Sequence, residues 1–237
     1  MSGAERVLGR VVTANNRRLT RYATDRNDLN PRPLAGVAWS EAVEAAHPTI
    51  AAEWDAFAAS GGRLPRIADV IDEDQGNEGT WRVGLLMSKG KPATELATRF
   101  PRTIQALGGV PGIWSALWSE LEPGAELPIH NGPNAGMLRY HLGVRCGTDS
   151  ALRVFDQVVP YVDGVGILFD DTAPHAAWNH GTETRITLFC ELLRPAEGAV
   201  AVANRLVQSL LALDPRYRGA PARASEWHRA LNGPVTR

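Results

Sequence analysis

Strand-like alternation fills the middle of this chain, and helix-like patterning flanks it. The segments SALWSEL (115–121), MLRYHLGVR (137–145), ALRVFDQ (151–157), GVGILFD (164–170) and RITLFCELL (185–193) are each of strand length and rich in β-branched and aromatic residues. Gly, Pro, Asn and Asp turns separate them. Five such segments within about 80 residues predict a mainly β architecture, a jelly roll or related double-sheet barrel with flanking helices.

Upstream, TWRVGLLMS (80–88) reads as a further strand running into the Lys89-Gly90-Lys91-Pro92 loop. Residues 39–59 read as helical, with Ser40 as N-cap, Gly61-Gly62 as stop and Pro48 splitting the run into two helices. The first 35 residues, rich in Arg and Asn and ending in Asn30-Pro31-Arg32-Pro33, read as an irregular arm. Beyond Arg194-Pro195, Val200, Leu206, Leu210 and Leu211 fall near helical spacing, which predicts a packing helix ended by Pro215. The expected organisation is one domain: residues 1–110 as arm, helices and first strands, 111–195 as the catalytic β core, and 196–237 as a C-terminal helical segment.

The 44% hydrophobic and 22% charged fractions are those of an ordinary globular protein, and a formal net charge of −1 gives no general attraction to nucleic acid or an anionic membrane. The two cysteines, Cys146 and Cys190, exclude a disulfide framework and a cysteine-built metal site. No run of about 18 apolar residues occurs, so a cytoplasmic protein is expected, without nucleic-acid or membrane partners.

Four of the six histidines, His130, His141, His175 and His180, lie in the strand-rich half. His130 sits in Leu127-Pro128-Ile129-His130-Asn131-Gly132-Pro133-Asn134, where prolines fix the chain and Gly132 permits close backbone approach. His175 follows an apolar segment through Phe169-Asp170-Asp171-Thr172-Ala173-Pro174. Histidines placed so, 45 residues apart, can converge on one metal from neighbouring strands, although imidazole suits iron, zinc, copper or nickel alike. In the usual 2-His-1-carboxylate arrangement an acid stands two residues after the first histidine. Here that position is Gly132.

Taken in order, Leu121-Glu122-Pro123-Gly124, Pro128-Ile129-His130-Asn131-Gly132-Pro133-Asn134, Leu138-Arg139-Tyr140-His141-Leu142-Gly143, Phe169 to Asn179, and Thr184-Arg185 resemble the successive motifs of the aspartyl/asparaginyl β-hydroxylases. The resemblance covers roughly residues 101–195. It implies a double-stranded β-helix of cupin-like form that uses iron(II), 2-oxoglutarate and O2 to hydroxylate a C–H bond. It also implies two histidine ligands, with water in place of the carboxylate, so that Gly132 agrees with the family.

Carried over, the resemblance makes His130 and His175 the metal ligands. Arg185 is then the cation for the distal carboxylate of 2-oxoglutarate, which a guanidinium holds bidentately, and Ser119 the assisting hydroxyl. Arg139 and His141 alternate with Leu138, Tyr140 and Leu142 and so share one strand face, either the barrel interior or an exposed edge. The resemblance favours the interior, with Arg139 reaching a substrate or cosubstrate carboxylate and His141 donating near the keto-acid end. Arg153 and Trp178 are candidate substrate contacts, against surface and packing alternatives, and Asn179 a candidate for the pocket rim. Asp170 and Asp171 more often cap a turn than ligate, and His180 is expected in solvent.

The expected activity is hydroxylation of an aliphatic carbon, the β-carbon first, of an amino acid or peptidyl residue, with bacterial natural-product biosynthesis as one setting. Met137 stands where a cation for an aspartyl carboxylate is sought, which leaves the substrate open. Two alternatives remain: a halogenase with chloride in the vacancy at Gly132, and a non-catalytic barrel that binds a small molecule.

Overall fold

A computed structural model describes residues 3–24, 31–33, 36–70, 80–214 and 218–233. Eight strands form the barrel: β4 (Ile113–Leu121), β5 (Ala125–His130), β6 (Met137–Arg145), β7 (Ser150–Val154), β8 (Gln157–Pro160), β9 (Gly166–Phe169), β10 (His175–Asn179) and β11 (Arg185–Leu193). One sheet carries β9-β6-β11-β4 and the other β5-β10-β7-β8, all antiparallel. Except at the β7–β8 hairpin, each strand crosses to the other sheet, the winding that defines the double-stranded β-helix. The larger sheet reaches seven strands by adding β1 (Arg32–Pro33) beyond β9, and β2 (Trp81–Ser88) and β3 (Lys91–Pro92) beyond β4.

Alternation on the larger sheet separates two environments. Leu138, Tyr140 and Leu142 of β6 and Leu188, Cys190 and Leu192 of β11 belong to the outer core. There α2 (Ala38–Ala45), α3 (His47–Ala59) and α5 (Pro101–Leu107) cover the sheet, and Trp54, Phe57, Phe100 and Trp118 pack with ring centroids 5.0–5.7 Å apart. Pro48 lies in the first turn of α3, as its fixed φ favours. The opposite residues, Arg139, His141, Thr187, Phe189 and Glu191, face the smaller sheet and line the barrel.

Several expectations need correction. The N-terminal arm is a helix, α1 (Gly3–Thr24), whose inward stripe of Leu8, Val12, Asn15, Leu19 and Ala23 is diluted in sequence by arginines and Asn15. ALRVFDQ is not one strand but a two-residue hairpin, with Phe155 at φ 53°, a conformation usually left to Gly or Asn. AELPIH (125–130) is a strand despite Pro128, because β5 is an edge strand paired only with β10.

The C-terminal segment holds α6 (Gly198–Leu211) and α7 (Ala220–Asn232). The expected apolar stripe of α6 is only partly inward: Val200 and Leu211 are half-buried, Leu206 and Leu210 are exposed, and Asn204, Val207 and Gln208 are the buried residues. Pro215 lies outside the described residues. No helix among the described residues is long and apolar enough to cross a membrane.

Candidate metal centre and cosubstrate pocket

His130 owes its direction to a β-bulge. Ala125 and Leu127 of β5 point into the barrel core, so strict alternation would turn His130 outward with Glu126 and Pro128. The register with β10 slips by one residue between His175 and Ala177, and His130 lands opposite His175. Bulges commonly re-aim a side chain beside an active site. The two imidazoles lie with centroids 4.1 Å apart and planes at 54°.

Each imidazole is held in the same tautomer. His130 Nδ1 donates to the Pro128 carbonyl at 2.7 Å, and His175 Nδ1 donates to the Ala173 carbonyl at 2.9 Å. A carbonyl only accepts, so both lone pairs reside on Nε2, the pattern of metal-binding histidines. Burial pushes the His175 pKa down to about 4, and its ring is neutral at physiological pH.

No third protein ligand completes the pair. Among the described residues, no group of three or more His, Cys, Asp or Glu side chains is arranged to hold a metal. The space beside Gly132 belongs instead to Asp171: a Cβ at 132 would lie 2.2 Å from Asp171 Oδ2. Gly132 N also donates to the Asp171 carbonyl at 2.6 Å. Asp171 pairs with Arg139 Nη2 at 2.6 Å. Asp170 caps its turn as expected, accepting from Thr172 N at 3.0 Å and Thr172 Oγ1 at 2.7 Å, and also pairs with Arg194.

Deeper in the barrel the wall is polar and incompletely satisfied. Arg185 is 2% exposed, its Nε and Nη1 have no hydrogen-bond partner, and its guanidinium lies 4.5 Å over the Tyr161 ring. Burial works against its charge and lowers its pKa. Thr187 Oγ1 and His141 Nε2 are likewise buried without partners. Ser119 Oγ accepts from Trp81 Nε1 at 2.9 Å, and His141 Nδ1 meets the Tyr161 hydroxyl at 2.8 Å. Burial, and secondarily the charges of Arg185 and Arg139, hold the His141 pKa well below its ordinary value. Each buried unsatisfied group costs about 1–3 kcal/mol. Such a cluster suits a polar guest.

Across residues 44–195, a stretch containing all of these groups, the chain matches the family described as aspartyl/asparaginyl beta-hydroxylase. It belongs to that family. The chain is 29% identical to the ornithine lipid ester-linked acyl 2-hydroxylase of Rhizobium tropici over 81% of its own length and 70% of the relative's. It is 29% identical to the human aspartate beta-hydroxylase domain-containing protein 2, over 54% of this chain and only 36% of that one. Among solved structures, a predicted oxalate decarboxylase from Thermotoga maritima superposes loosely, with a TM-score of 0.38 and 18% identity over 56% of this chain and 96% of that one.

In this β-hydroxylase family member, the remaining expected site residues divide by strand face. Met137, Arg139 and His141 share the inner face of β6, but Arg139 is not free. Asp171 and Glu191 both pair with it and, against the effect of burial, raise its pKa.

Arg153 and Trp178 are not brought to the histidines. Arg153 lies opposite Ala176, between the core residues Leu152 and Val154, and Trp178 is three residues from His175, so both face away from the barrel interior, where they are half-buried. Trp178 stacks on His180 at 5.8 Å, and exposed His180 pairs with Glu126 at 2.7 Å. Asn179 is buried, donating to the Leu121 and Glu183 carbonyls at 2.9 and 2.8 Å.

Two participants escaped the sequence reading. Thr187 was detectable, since it follows Arg185 by two residues and therefore shares its face. Tyr161 precedes β9 in a loop that approaches β6 only because residue 143 is glycine: a Cβ there would meet the Val162 carbonyl at 2.2 Å.

Proposed function

We propose that this protein is an iron(II)- and 2-oxoglutarate-dependent oxygenase that hydroxylates an unactivated aliphatic C–H bond. The observation carrying this reading is Arg185, a buried cation without a carboxylate partner among the described residues, in the barrel whose rim holds two histidines with free Nε2 atoms. Burying a charge unpaired is strongly unfavourable. A small dicarboxylate relieves it.

His130 and His175 would hold iron(II) through Nε2; the metal, with 2-oxoglutarate, supplies dioxygen activation coupled to decarboxylation. The chain's own residues bind, orient and exclude water. Arg185 clamps the distal carboxylate, and the Ser119 and Thr187 hydroxyls donate to it. His141 Nδ1 and the Tyr161 hydroxyl share a hydrogen bond at 2.8 Å, and with the hydroxyl as donor His141 Nε2–H would face an anionic oxygen. Phe169 and Phe189, whose ring centroids lie 5.1 and 4.7 Å from that of His141, keep this wall dry. The Asp171 carboxylate stands beside Gly132, and a negative charge there would oppose a chloride, which disfavours the halogenase reading.

For the substrate, Arg139 decides between two classes. A free or peptidyl aspartate needs a cation for its carboxylate, but Arg139 is neutralised by Asp171 and Glu191, and Met137 beside it is apolar. An acyl chain on an amino-acid-containing lipid needs no such cation, and the Rhizobium tropici relative is named for that substrate class. We favour the acyl chain over an amino acid or peptide.

Anaerobic addition of iron(II) and 2-oxoglutarate should produce a weak visible charge-transfer band that His130→Ala and His175→Ala abolish. Succinate formation is then measured with ornithine lipids, amino acids and peptides, together with a product mass gain of one oxygen. No band and no effect of either histidine variant would leave a non-catalytic binding barrel. Oxygen gain on amino acids alone would restore the first substrate class.

A further inference from the structure

α6 presents its large apolar residues to solvent. Val202 and Leu206 are 69% and 60% exposed, Leu210 is partly exposed, and their spacing of four residues aligns them in one stripe, with Leu213, 62% exposed, in the turn that follows the helix. The inward side of the helix is largely polar, with Asn204 and Gln208 buried. A contiguous exposed apolar stripe of this kind marks an interaction site.

The neighbouring helix α1 adds mostly positive charge, with five arginines against the single acid Glu5. Arg10, Arg17, Arg18 and Arg21 are exposed on it, with Val7 and Val11 beside them, and Arg205 is exposed on α6. The two helices, residues 3–24 and 198–211, contain six arginines and one acid, Glu5, with Glu197 and Asp214 flanking α6, in a chain whose net charge is −1. The excess of positive charge is therefore local to these two helices.

Both helices are fastened to the loop that follows His130. From α1, Asn16 Nδ2 donates to the Pro133 carbonyl at 2.7 Å and Asn16 Oδ1 accepts from Ala135 N at 3.1 Å. From α6, Asn204 Nδ2 donates to the Gly136 carbonyl at 2.9 Å and Gln208 Oε1 accepts from Asn134 Nδ2 at 2.8 Å. Asn15 Nδ2 joins the two helices by donating to Asn204 Oδ1 at 3.2 Å. The face thus adjoins the barrel end at which His130 and His175 sit.

We propose that the α1–α6 face docks the protein on an anionic lipid bilayer. Val202, Leu206, Leu210 and Leu213 enter the acyl boundary, while the arginines engage headgroup phosphates bidentately. A second copy of the chain fits less well, because a two-fold contact sets six arginines against the same six with only Glu5 of each copy to offset them. Docking through these helices brings the membrane near the loop that follows His130, to which both are fastened. Its consequence for turnover rests on the acyl-lipid reading above; the binding itself does not.

The test is co-sedimentation of the full chain, without iron or 2-oxoglutarate, with vesicles of phosphatidylcholine alone or mixed with phosphatidylglycerol. The wild type should bind the mixed vesicles, and both Val202→Glu/Leu206→Glu and Arg10→Glu/Arg17→Glu should weaken binding by about tenfold or more. All four positions are exposed, so both variants should retain the wild-type melting temperature. Failure of the wild type to bind mixed vesicles overturns the proposal, as does binding that neither pair of changes weakens. Sedimentation velocity showing a dimer that the leucine variant splits, with no vesicle binding, assigns the face to a second copy instead. Because no turnover is measured, a negative result leaves the hydroxylase reading untouched.

Discussion

Arg194 and Asp170 form an ion pair with no exposed side-chain surface, and through it the loop after His130 is tied to the loop before His175. Arg194 Nε also donates to the Ala135 carbonyl at 2.6 Å, and its backbone N to the Gly136 carbonyl at 2.9 Å. Asp170 in turn holds Thr172. The separation of the two histidines therefore depends on a pair that touches neither.

Arg194→Met should destabilise the protein by about 3–5 kcal/mol, because Asp170 is left charged and buried without its partner. Arg194→Met/Asp170→Leu should recover much of that loss and still bind iron(II) weakly, since the loops lose their common anchor. Urea unfolding and anaerobic iron(II) titration check the two effects separately. Wild-type metal affinity in the double variant would remove the anchoring role.

Arg185→Met should separate stability from binding. Without an anion the buried guanidinium is uncompensated, so the variant should be as stable as the wild type or more so. 2-Oxoglutarate present at about one hundred times its Kd should stabilise the wild type by about 2.7 kcal/mol and the variant not at all. Thermal unfolding with and without 2-oxoglutarate and a non-redox metal measures this. Equal stabilisation of both proteins would assign the dicarboxylate to another cation.

Much of this site was legible in sequence because strand alternation carries direction. Arg139 and His141 were correctly expected to share a face, and five strand segments were found where hydrophobic and β-branched residues cluster. What failed was whatever breaks alternation. The β5–β10 bulge, which turns His130 inward, leaves no mark beyond Pro128, and the Phe155 turn uses a residue that seldom adopts positive φ. Arg153 and Trp178 were weighed as substrate contacts against surface and packing alternatives, and parity turns them away from the barrel interior. The inward polar side of α6 was hidden because its partners, Asn134 and Gly136, lie about seventy residues away.

Gly132→Asp should not restore a third ligand. Its Cβ would fall within 2.2 Å of Asp171 Oδ2, so the variant adds overlap and a like charge at once. A loss of stability of about 1–3 kcal/mol is expected from the overlap alone. Gly132→Asp/Asp171→Gly frees the space and should recover stability while binding iron(II) more tightly than the single variant. Calorimetric metal titration of the three proteins decides it; tighter binding by the single variant would mean that Asp171 yields the space readily.

Acid should destabilise the metal-free protein through histidines that fold neutral. His141 and His228 both have pKa values depressed mainly by burial, His141 the more strongly. The unfolded chain takes up these protons near pH 6.5, the ordinary histidine value, whereas the native protein resists them. Their contribution to stability is therefore complete above that pH and is lost as pH falls through the depressed native values. Each group that remains neutral in the native state contributes a slope of about 1.4 kcal/mol per pH unit below that point. In chelator-treated protein His175, pushed down to about 4, adds to the same slope. Urea unfolding from pH 7.5 down to 5 should thus show falling stability, and His141→Gln should flatten the decline by about one proton's worth. A variant whose decline matches the wild type would show that His141 gains a proton in the folded protein as readily as in the unfolded chain.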